Sequence, residues 1–569
     1  MGNRRQRFTG RSGLAVISVL ALGVVAACSD EGSGGGDEPR AVDRLVFAVP
    51  APTQEAMNPN RDMQPQDEFQ LKPMYENLIG ADPQTGAWIP MLAESWELEQ
   101  DDQLRFILRE GVQFHNDLGE FTAADVEYSY QDLIEPAGAV SGVAEAVRTT
   151  VDRLEIVNDY EIVFHLNETS YSFFEGLGYG AAGMAIKSSA DAEARGSAGL
   201  ELDDEPIAGT GPYQFVERTP GENVVFEGVP YEHWRQQPPF EELEYRFINE
   251  NATRLSALLA GEVHVTQLPT ELLPQAESDG ARIVDAKIPG RRIGMSLLGC
   301  YYAEPPSVDE LSADVFVSGD RKFPDSPMCD IDVRKAINKA IDRDALNQAF
   351  YGGEAEQMFQ WYWQPELPGF NPEWEEQWDE LYGYDPDASR ALLEEAGYGE
   401  GELEVQVLAI PNSGGAESAD VSEAVAGMLQ DVGIDAPIVT MDPAKAASQR
   451  EAREFESAIE FDSTSSEPVT GFEPQGYANQ DSGRAVEMVE LDTPYEQVLL
   501  ELDPDEQAEL WGAFGNQVFE AVQHVPLLRI REQMVIDPAV VEDYVFPGAM
   551  MSAPYSFVEY ITPTVASEE

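Results

Sequence analysis

IPMLAESWELEQDDQLRFILREGVQFHNDLGEFTAADVEYSY, residues Ile89 to Tyr130, is the most informative run in the chain. Its spacing predicts a short helical turn ending at Trp96, an acidic turn from Glu99 to Asp102, a strand, a break at Gly111 and a capped helix. Leu104, Phe106 and Leu108 alternate with Arg105, Ile107 and Arg109, which suits a strand with one well-buried face. Thr122 stands three residues before Asp125, as in a capping box, and Val126, Tyr130 and Leu133 then share one helical face. These are structural features and carry no chemistry.

The run also contains the pieces P-x-LAESWE, F-x-LR-x-GV-x-FH and FTA-x-DV-x-YS around its acidic turn. Four further motifs follow in order: IAGTGPYQF from Ile207, DVRKAINKAIDRDAL from Asp332, LLEEAGY from Leu392 and LQDVGID from Leu429. Together they resemble the family 5 solute-binding proteins of bacterial ABC importers, which include oligopeptide, dipeptide and nickel receptors. The resemblance covers most of the mature chain. It implies an α/β, two-lobed periplasmic-binding-protein-like fold of the class II type, with an extra N-terminal subdomain. The expected boundaries are a lipoprotein signal peptide at 1–27, an anchor and tether at 28–43, lobe I at 44–87, 205–290 and 528–569, the extra subdomain at 88–204, and lobe II at 291–527.

Composition agrees with an exported protein of several lobes. The 569 residues exceed one ordinary domain, and 43% hydrophobic content with 21 tyrosines excludes a wholly disordered polymer. Arg4, Arg5, Arg7 and Arg11 precede an apolar run from Leu14 to Ala27 that is short for a membrane span and reads as a secretory signal. Arg4-Arg5 leaves the export route open between the general and twin-arginine systems. Val25-Ala26-Ala27-Cys28 resembles a bacterial lipobox, in which Cys28 becomes the lipidated first residue; the alternative is an ordinary signal peptide that contains a cysteine. Ser29 to Glu38 has the composition of a flexible tether. Net charge is −70, and removal of residues 1–27, with four Arg and no acid, leaves 31 basic against 105 acidic residues, about −74. Such a surface repels nucleic acid and anionic lipid headgroups, and reads as diffuse surface acidity rather than a cation site.

Along the mature chain, Arg44 to Pro50 predicts a first strand and Asp67 to Ile79 an amphipathic helix through Leu71, Met74, Tyr75 and Leu78. The strands RLEIV and EIVFHL flank a turn at Asn158-Asp159. The glycines of GTGPY, Gly209 to Tyr213, lack the Lys of a phosphate-binding P-loop and read as turn residues. Ala252 to Val265 predicts a short helix, a stop at Gly261 and a strand, with His264 in packing. Arg292 to Gly299 predicts the strand entering lobe II, Leu403 to Val439 a strand-helix-strand unit, and Glu506 to Gln523 a helix leading into HVPLLRIREQMVI, the return to lobe I. Lobe closure is expected about crossings near Met295 and Leu528.

No catalytic constellation stands out. The five histidines, His115, His165, His233, His264 and His524, are scattered without paired metal-ligand spacing, and no G-x-S-x-G elbow occurs. A binding protein needs instead a partly aromatic cleft with a few polar groups. Trp361-Tyr362-Trp363 offers aromatic faces, read either as cleft lining or as one ring in the core and two at a lobe surface. The resemblance places Asn58 in the Met57-Asn58-Pro59 loop and Met295 on the crossing strand near the solute. Peptide-binding members carry an acidic loop whose Asp holds a peptide amino terminus; the comparable run is Glu460 to Phe472, with Asp462 kept and Glu467-Pro468 where Asp-Pro is usual. The expected ligand contacts are therefore Asn58, Met295, Trp361, Tyr362, Trp363, Asp462 and Phe472.

The implied protein is a monomeric, lipid-anchored receptor on the outer face of the cell membrane. It captures a small solute, an oligopeptide first, and delivers it to the permease and ATPase subunits of an importer, with no cofactor, metal or nucleic acid. A nickel chelate or an oligosaccharide is the alternative solute, and a secreted hydrolase the alternative class. With Cys28 used for lipid, two cysteines remain in an exported chain, and Cys300 and Cys329 are expected to form a disulfide around a Pro-containing insertion; two buried free thiols are the alternative.

Overall fold

The computed structural model describes residues 40–564, apart from 53–54, 56, 60–64, 83–87, 100–101, 136–141, 168–172, 174–175, 179–182, 197–205, 304–319, 411–416, 466–484, 547–554 and 556. The chain begins with β1 (Arg44–Val49), whose residues after Arg44 are all buried. Leu45, Phe47 and Val49 face one core of lobe I, while Val46 and Ala48 face a second, so the strand reads as a continuous apolar run. A short pair, β2 (Ile79–Ala81) and β3 (Trp88–Pro90), leads into the extra subdomain.

That subdomain is a four-stranded antiparallel sheet in the order β4-β5-β7-β6. It comprises β4 (Ala93–Glu99), β5 (Gln103–Leu108), α1 (Ala123–Ile134), α2 (Gly142–Thr150), β6 (Val151–Asn158), β7 (Glu161–Leu166) and, after it, α3 (Ser189–Arg195). The expected helical turn ending at Trp96 is instead strand: Trp96 pairs with Phe106, because β5 offers its free edge and satisfies the backbone of Ala93 to Glu99. The capping of α1 is as read, with the Thr122 amide donating to Asp125 Oδ2 at 2.9 Å.

Lobe I then resumes with β8 (Tyr213–Thr219), β9 (Asn223–Gly228), β10 (Glu242–Phe247), α4 (Asn251–Leu259), β11 (Val265–Thr266), α5 (Leu273–Ser278) and β12 (Arg282–Asp285). The helix expected from Asp67 to Ile79 is absent; Pro65–Gln70 forms a 3-10 turn and the chain runs on irregularly. Pro73 has no amide to continue a helix, and the carbonyls of Pro73 and Met74 accept from Tyr213 and Gly211 at 3.1 and 3.0 Å. Gly209 and Gly211 serve this approach rather than a turn: a Cβ on Gly209 would lie 2.0 Å from the Met74 oxygen.

Lobe II holds β13 (Arg291–Leu298), α6 (Ile331–Ala340), α7 (Arg343–Phe350), β14 (Glu356–Gln357), α8 (Glu373–Leu381), α9 (Pro386–Glu395), β15 (Gln406–Ala409), α10 (Ser418–Asp431), β16 (Ile438–Thr440), α11 (Pro443–Glu451), β17 (Ala458–Ser465), α12 (Asp492–Leu500), α13 (Pro504–Ala521) and β18 (His524–Ile530). Its sheet runs β14-β18-β13-β17-β15-β16, with β13 antiparallel to both neighbours. The chain ends in β19 (Gln533–Ile536), β20 (Val541–Tyr544) and β21 (Ile561–Pro563). β19 inserts into the lobe I sheet, whose order is β12-β19-β11-β1-β10-β9-β8.

The passages between lobes therefore lie between Asp285 and Arg291, and between Ile530 and Gln533. Met295 and Leu528, expected near the hinge, sit within the lobe II sheet, and the return begins after Ile530 rather than at 528. Arg531 joins the two passages, donating to the carbonyls of Ala286 at 3.1 Å and Lys287 at 2.6 Å and bonding Glu356 of β14. Buried apolar residues of the extra subdomain and of lobe II, among them Leu104, Phe164, Ile337 and Trp511, form one continuous cluster. Among the described residues, no helix is long and apolar enough to cross a membrane.

Candidate functional site

The centre of the lobe II sheet has one apolar and one polar face. On β13, Ile293, Met295 and Leu297 belong to the helix-packed core, while Arg292, Gly294 and Ser296 alternate with them. Asp462 of β17 stands opposite Gly294, and His524 of β18 stands opposite Ser296, so all share the polar face. Ser296 Oγ donates to Asp462 Oδ2 at 2.9 Å. Glu460, opposite Ser296 on β17, is paired with Arg450 of α11 at 2.5 Å.

Gly294 makes room for an aromatic ring. A Cβ there would lie 2.6 Å from a ring carbon of Trp361. Arg292, only 1% exposed, donates from Nη1 to the Trp361 carbonyl at 2.6 Å. Its Cζ lies 5.2 Å from the Trp361 ring centroid and 5.6 Å from that of Tyr362. Such cation–π contacts reach about 2 kcal/mol where water is excluded. The other side of the group is His524, stacked on Trp361 at 5.6 Å and 9°, with the Tyr362 ring perpendicular to it at 5.6 Å. The His524 pKa is lowered to about 4, chiefly by burial, which outweighs the pull of the Asp462 carboxylate and is helped by Arg292. The imidazole is neutral at ordinary pH, beside a 7% exposed aspartate.

The alternative of one ring in the core and two at a lobe surface does not hold for the three aromatics. Trp361, Tyr362 and Trp363 are all buried, because the segment runs beneath α8 and α13 and its successive rings find different neighbours. Trp361 joins the polar group. Trp363 stacks on Trp511 at 4.2 Å, meets Trp374 at 5.6 Å and donates from Nε1 to the Trp511 carbonyl at 3.1 Å, which makes it a core residue. Met295 is a core residue too, fully buried between Phe461 and Val525 on the apolar face.

Asn58 lies in lobe I, apart from this group. With Met57, Pro59, Tyr75, Ile207, Asp132 and Lys187 it lines a cavity of about 10 Å³. Lys187 and Asp132 form a buried ion pair there, and desolvation lowers the Lys187 pKa against the attraction of Asp132. Phe472, Glu467-Pro468 and Cys28 lie outside the described residues. Cys300 and Cys329 are joined as a disulfide. His115 and His264 serve packing: His115 Nε2 is 2.8 Å from the Gly211 carbonyl, and His264 Nδ1 accepts from the Val46 amide at 3.0 Å. Among the described residues, no group of three His, Cys, Asp or Glu side chains is placed to hold a metal ion.

Sequence reasoning missed Arg292, Gly294, Ser296 and His524. The signal for the first three was present in RIGMSLL, a strand whose polar and small residues recur at every second place. His524 had no such signal, since only the pairing of β18 with β13 brings it beside Ser296.

Two α/β lobes joined by paired passages, with a buried polar and aromatic group on one sheet, define a binding protein in architecture. A family model described as bacterial extracellular solute-binding proteins, family 5 middle, matches residues 87–482, and the chain belongs to that family. The dipeptide-binding protein of Escherichia coli K12 is 25% identical over 389 residues, 65% of this chain and 66% of that protein. Heme-binding protein A of Haemophilus influenzae is 26% identical over 330 residues, 55% of this chain and 54% of that protein. The chain thus spans just under two thirds of the first of these relatives and about half of the second. Among solved structures, HbpA2 from Haemophilus parasuis shares the fold with a TM-score of 0.73 at 19% identity, covering 92% of this chain and 99% of that one. The periplasmic binding protein DppA from Helicobacter pylori, in complex with the peptide STSA, shares it with a TM-score of 0.65 at 21% identity, covering 91% and 98%.

Proposed function

We propose that this protein is an extracytoplasmic receptor that closes its lobes on an oligopeptide and presents it to the permease of an ABC importer, whose separate ATPase subunits drive uptake. The observation that carries this reading is Asp462: a carboxylate on a strand of lobe II, 7% exposed and beside Trp361, Arg292 and a neutral histidine. In such a site an ammonium makes a charge-assisted hydrogen bond stronger than in water. Peptide-binding relatives, among them the Escherichia coli dipeptide-binding protein, support the solute class. The receptor performs no chemistry on the solute and works as a monomer.

Cys28 is the acyl anchor in this reading, with residues 29–38 as its tether. Cys28→Ala should release the protein into the medium, and unchanged membrane retention counts against the anchor. The deciding experiment is mass spectrometry of solutes released by denaturing the purified protein. Short peptides are expected. A nickel chelate or an oligosaccharide would replace the solute class, and turnover of a peptide or glycoside would overturn the receptor reading.

A further inference from the structure

His524 differs from the other buried histidines. His115, His233 and His264 each place a ring nitrogen within 3.0 Å of a main-chain partner. His524 is 5% exposed, and neither Nδ1 nor Nε2 meets a hydrogen-bond partner among the described residues. Buried polar atoms are almost always paired, and an orphan in a native fold calls for a partner such as a water or a ligand. One face of its ring stacks on Trp361, and the Tyr362 ring stands perpendicular to it at 5.6 Å. A neutral imidazole has one donor and one acceptor.

We propose that His524 is a solute-contacting residue, whose ring nitrogens bind a main-chain amide of the peptide next to the group held by Asp462. The inference rests on the peptide-receptor reading. A peptide's amino terminus carries an ammonium, followed within about one Cα step of 3.8 Å by an amide with a carbonyl acceptor and an N–H donor. Asp462 answers the charge, and the neutral donor and acceptor of His524 answer the amide. The pairing selects a free amino terminus that continues as a peptide over a simple amine, because an amine leaves the histidine nitrogens unanswered. A cavity of about 20 Å³, which His524, Asn338, Gln360 and Gln523 line together with apolar residues such as Trp378 and Phe519, has room for one water, and that water is the competing occupant.

The test uses the mature protein freed of bound solute and an equimolar pool of di- to penta-alanine, read by native mass spectrometry and calorimetry. His524→Phe keeps the ring stacking and removes the nitrogens. It should bind the favoured peptide about tenfold to a hundredfold more weakly, with an unchanged melting temperature in the absence of peptide above about pH 7, where both folded and unfolded wild type carry a neutral ring. In wild type carrying nitrogen-15 histidine, the His524 ring signals should move on adding that peptide. Equal affinity in His524→Phe, or ring signals that stay still, overturns the inference alone and leaves a water in the cavity as the partner. No binding by wild type to any member of the pool overturns both the inference and the peptide reading.

Discussion

Arg531, between β18 and β19, donates to the carbonyl of Ala286 at 3.1 Å and so ties the second passage between the lobes to the first. The same guanidinium bonds Lys287 and Glu356, spanning both passages and the edge of lobe II. Arg531→Ala should lower stability by about 1–3 kcal/mol, read by urea unfolding, because it strips partners from partly buried groups. Arg531→Lys should restore only part, since a single ammonium cannot serve several acceptors in a fork. In wild type, scattering should show a smaller radius when solute is bound, and identical profiles at saturation would argue against closure about these passages.

Gly209 and Gly427 make opposite predictions for the same substitution. A Cβ on Gly209 meets the backbone oxygen of Met74 at 2.0 Å, so Gly209→Ala should cost about 3 kcal/mol or more, or prevent folding. Gly427, exposed within α10, has nothing within 4 Å, and Gly427→Ala should stabilise by about 0.5–1 kcal/mol. Chemical denaturation of the two variants reads both signs.

The disulfide closes a loop with a sequence separation of 29. In the chain-entropy model that is worth about 3–4 kcal/mol, so Cys300→Ser with Cys329→Ser should lower the unfolding free energy by that order. Thiol titration of the unfolded, unreduced mature protein should find none at these positions and two after reduction.

The buried pair of Lys187 and Asp132 should behave asymmetrically. Lys187→Met leaves a carboxylate without its partner in a closed setting and should cost about 3–5 kcal/mol. Combining it with Asp132→Leu should recover much of that loss, because no charge then remains buried. If the double variant is as unstable as the sum of the single ones, the two residues do not act as a pair.

The histidines fix a pH window. His524 has a pKa of about 4 in the fold against 6.5 for an ordinary histidine. Between these values the unfolded chain binds the extra proton, so the stability supplied by the neutral ring is full above the higher value and lost as pH falls toward the lower. The loss amounts to about 3 kcal/mol. His524→Phe should flatten the unfolding free energy between pH 6.5 and 4 by that order relative to wild type, while His115 and His264, shifted in the same direction, contribute equally to both proteins. Parallel profiles would mean that the ring is not held neutral.

Elements with a regular repeat were legible in the sequence. β5 and α1 follow from alternation and a capping pair, and β13 from a strand pattern bounded by glycines. Trp96 and the run from Asp67 to Ile79 were misread because both show helical spacing while their backbone groups bond to distant strands, Trp96 to β5 and Pro73 to Tyr213. In the site, Asp462 came from a motif, but its neighbours came from register. Ser296 and His524 lie 228 positions apart in the numbering and meet only because β13 pairs with β18. The different surroundings of Trp361 and Trp363 likewise come from distant elements, His524 of β18 for the first and Trp511 of α13 for the second, which no local pattern places.

The position of β19 sets an order for making the molecule. It lies between β12 and β11, inside the lobe I sheet rather than at its edge. A chain that emerges amino terminus first has completed β12 at Asp285 long before Gln533 exists. At roughly 5–20 residues per second, the intervening stretch of about 250 residues takes roughly 12–50 s to synthesise. Throughout that interval lobe I has a slot where a strand belongs, filled only once Gln533–Ile536 arrives, whereas lobe II is contiguous from β13 to β18 and complete by Ile530.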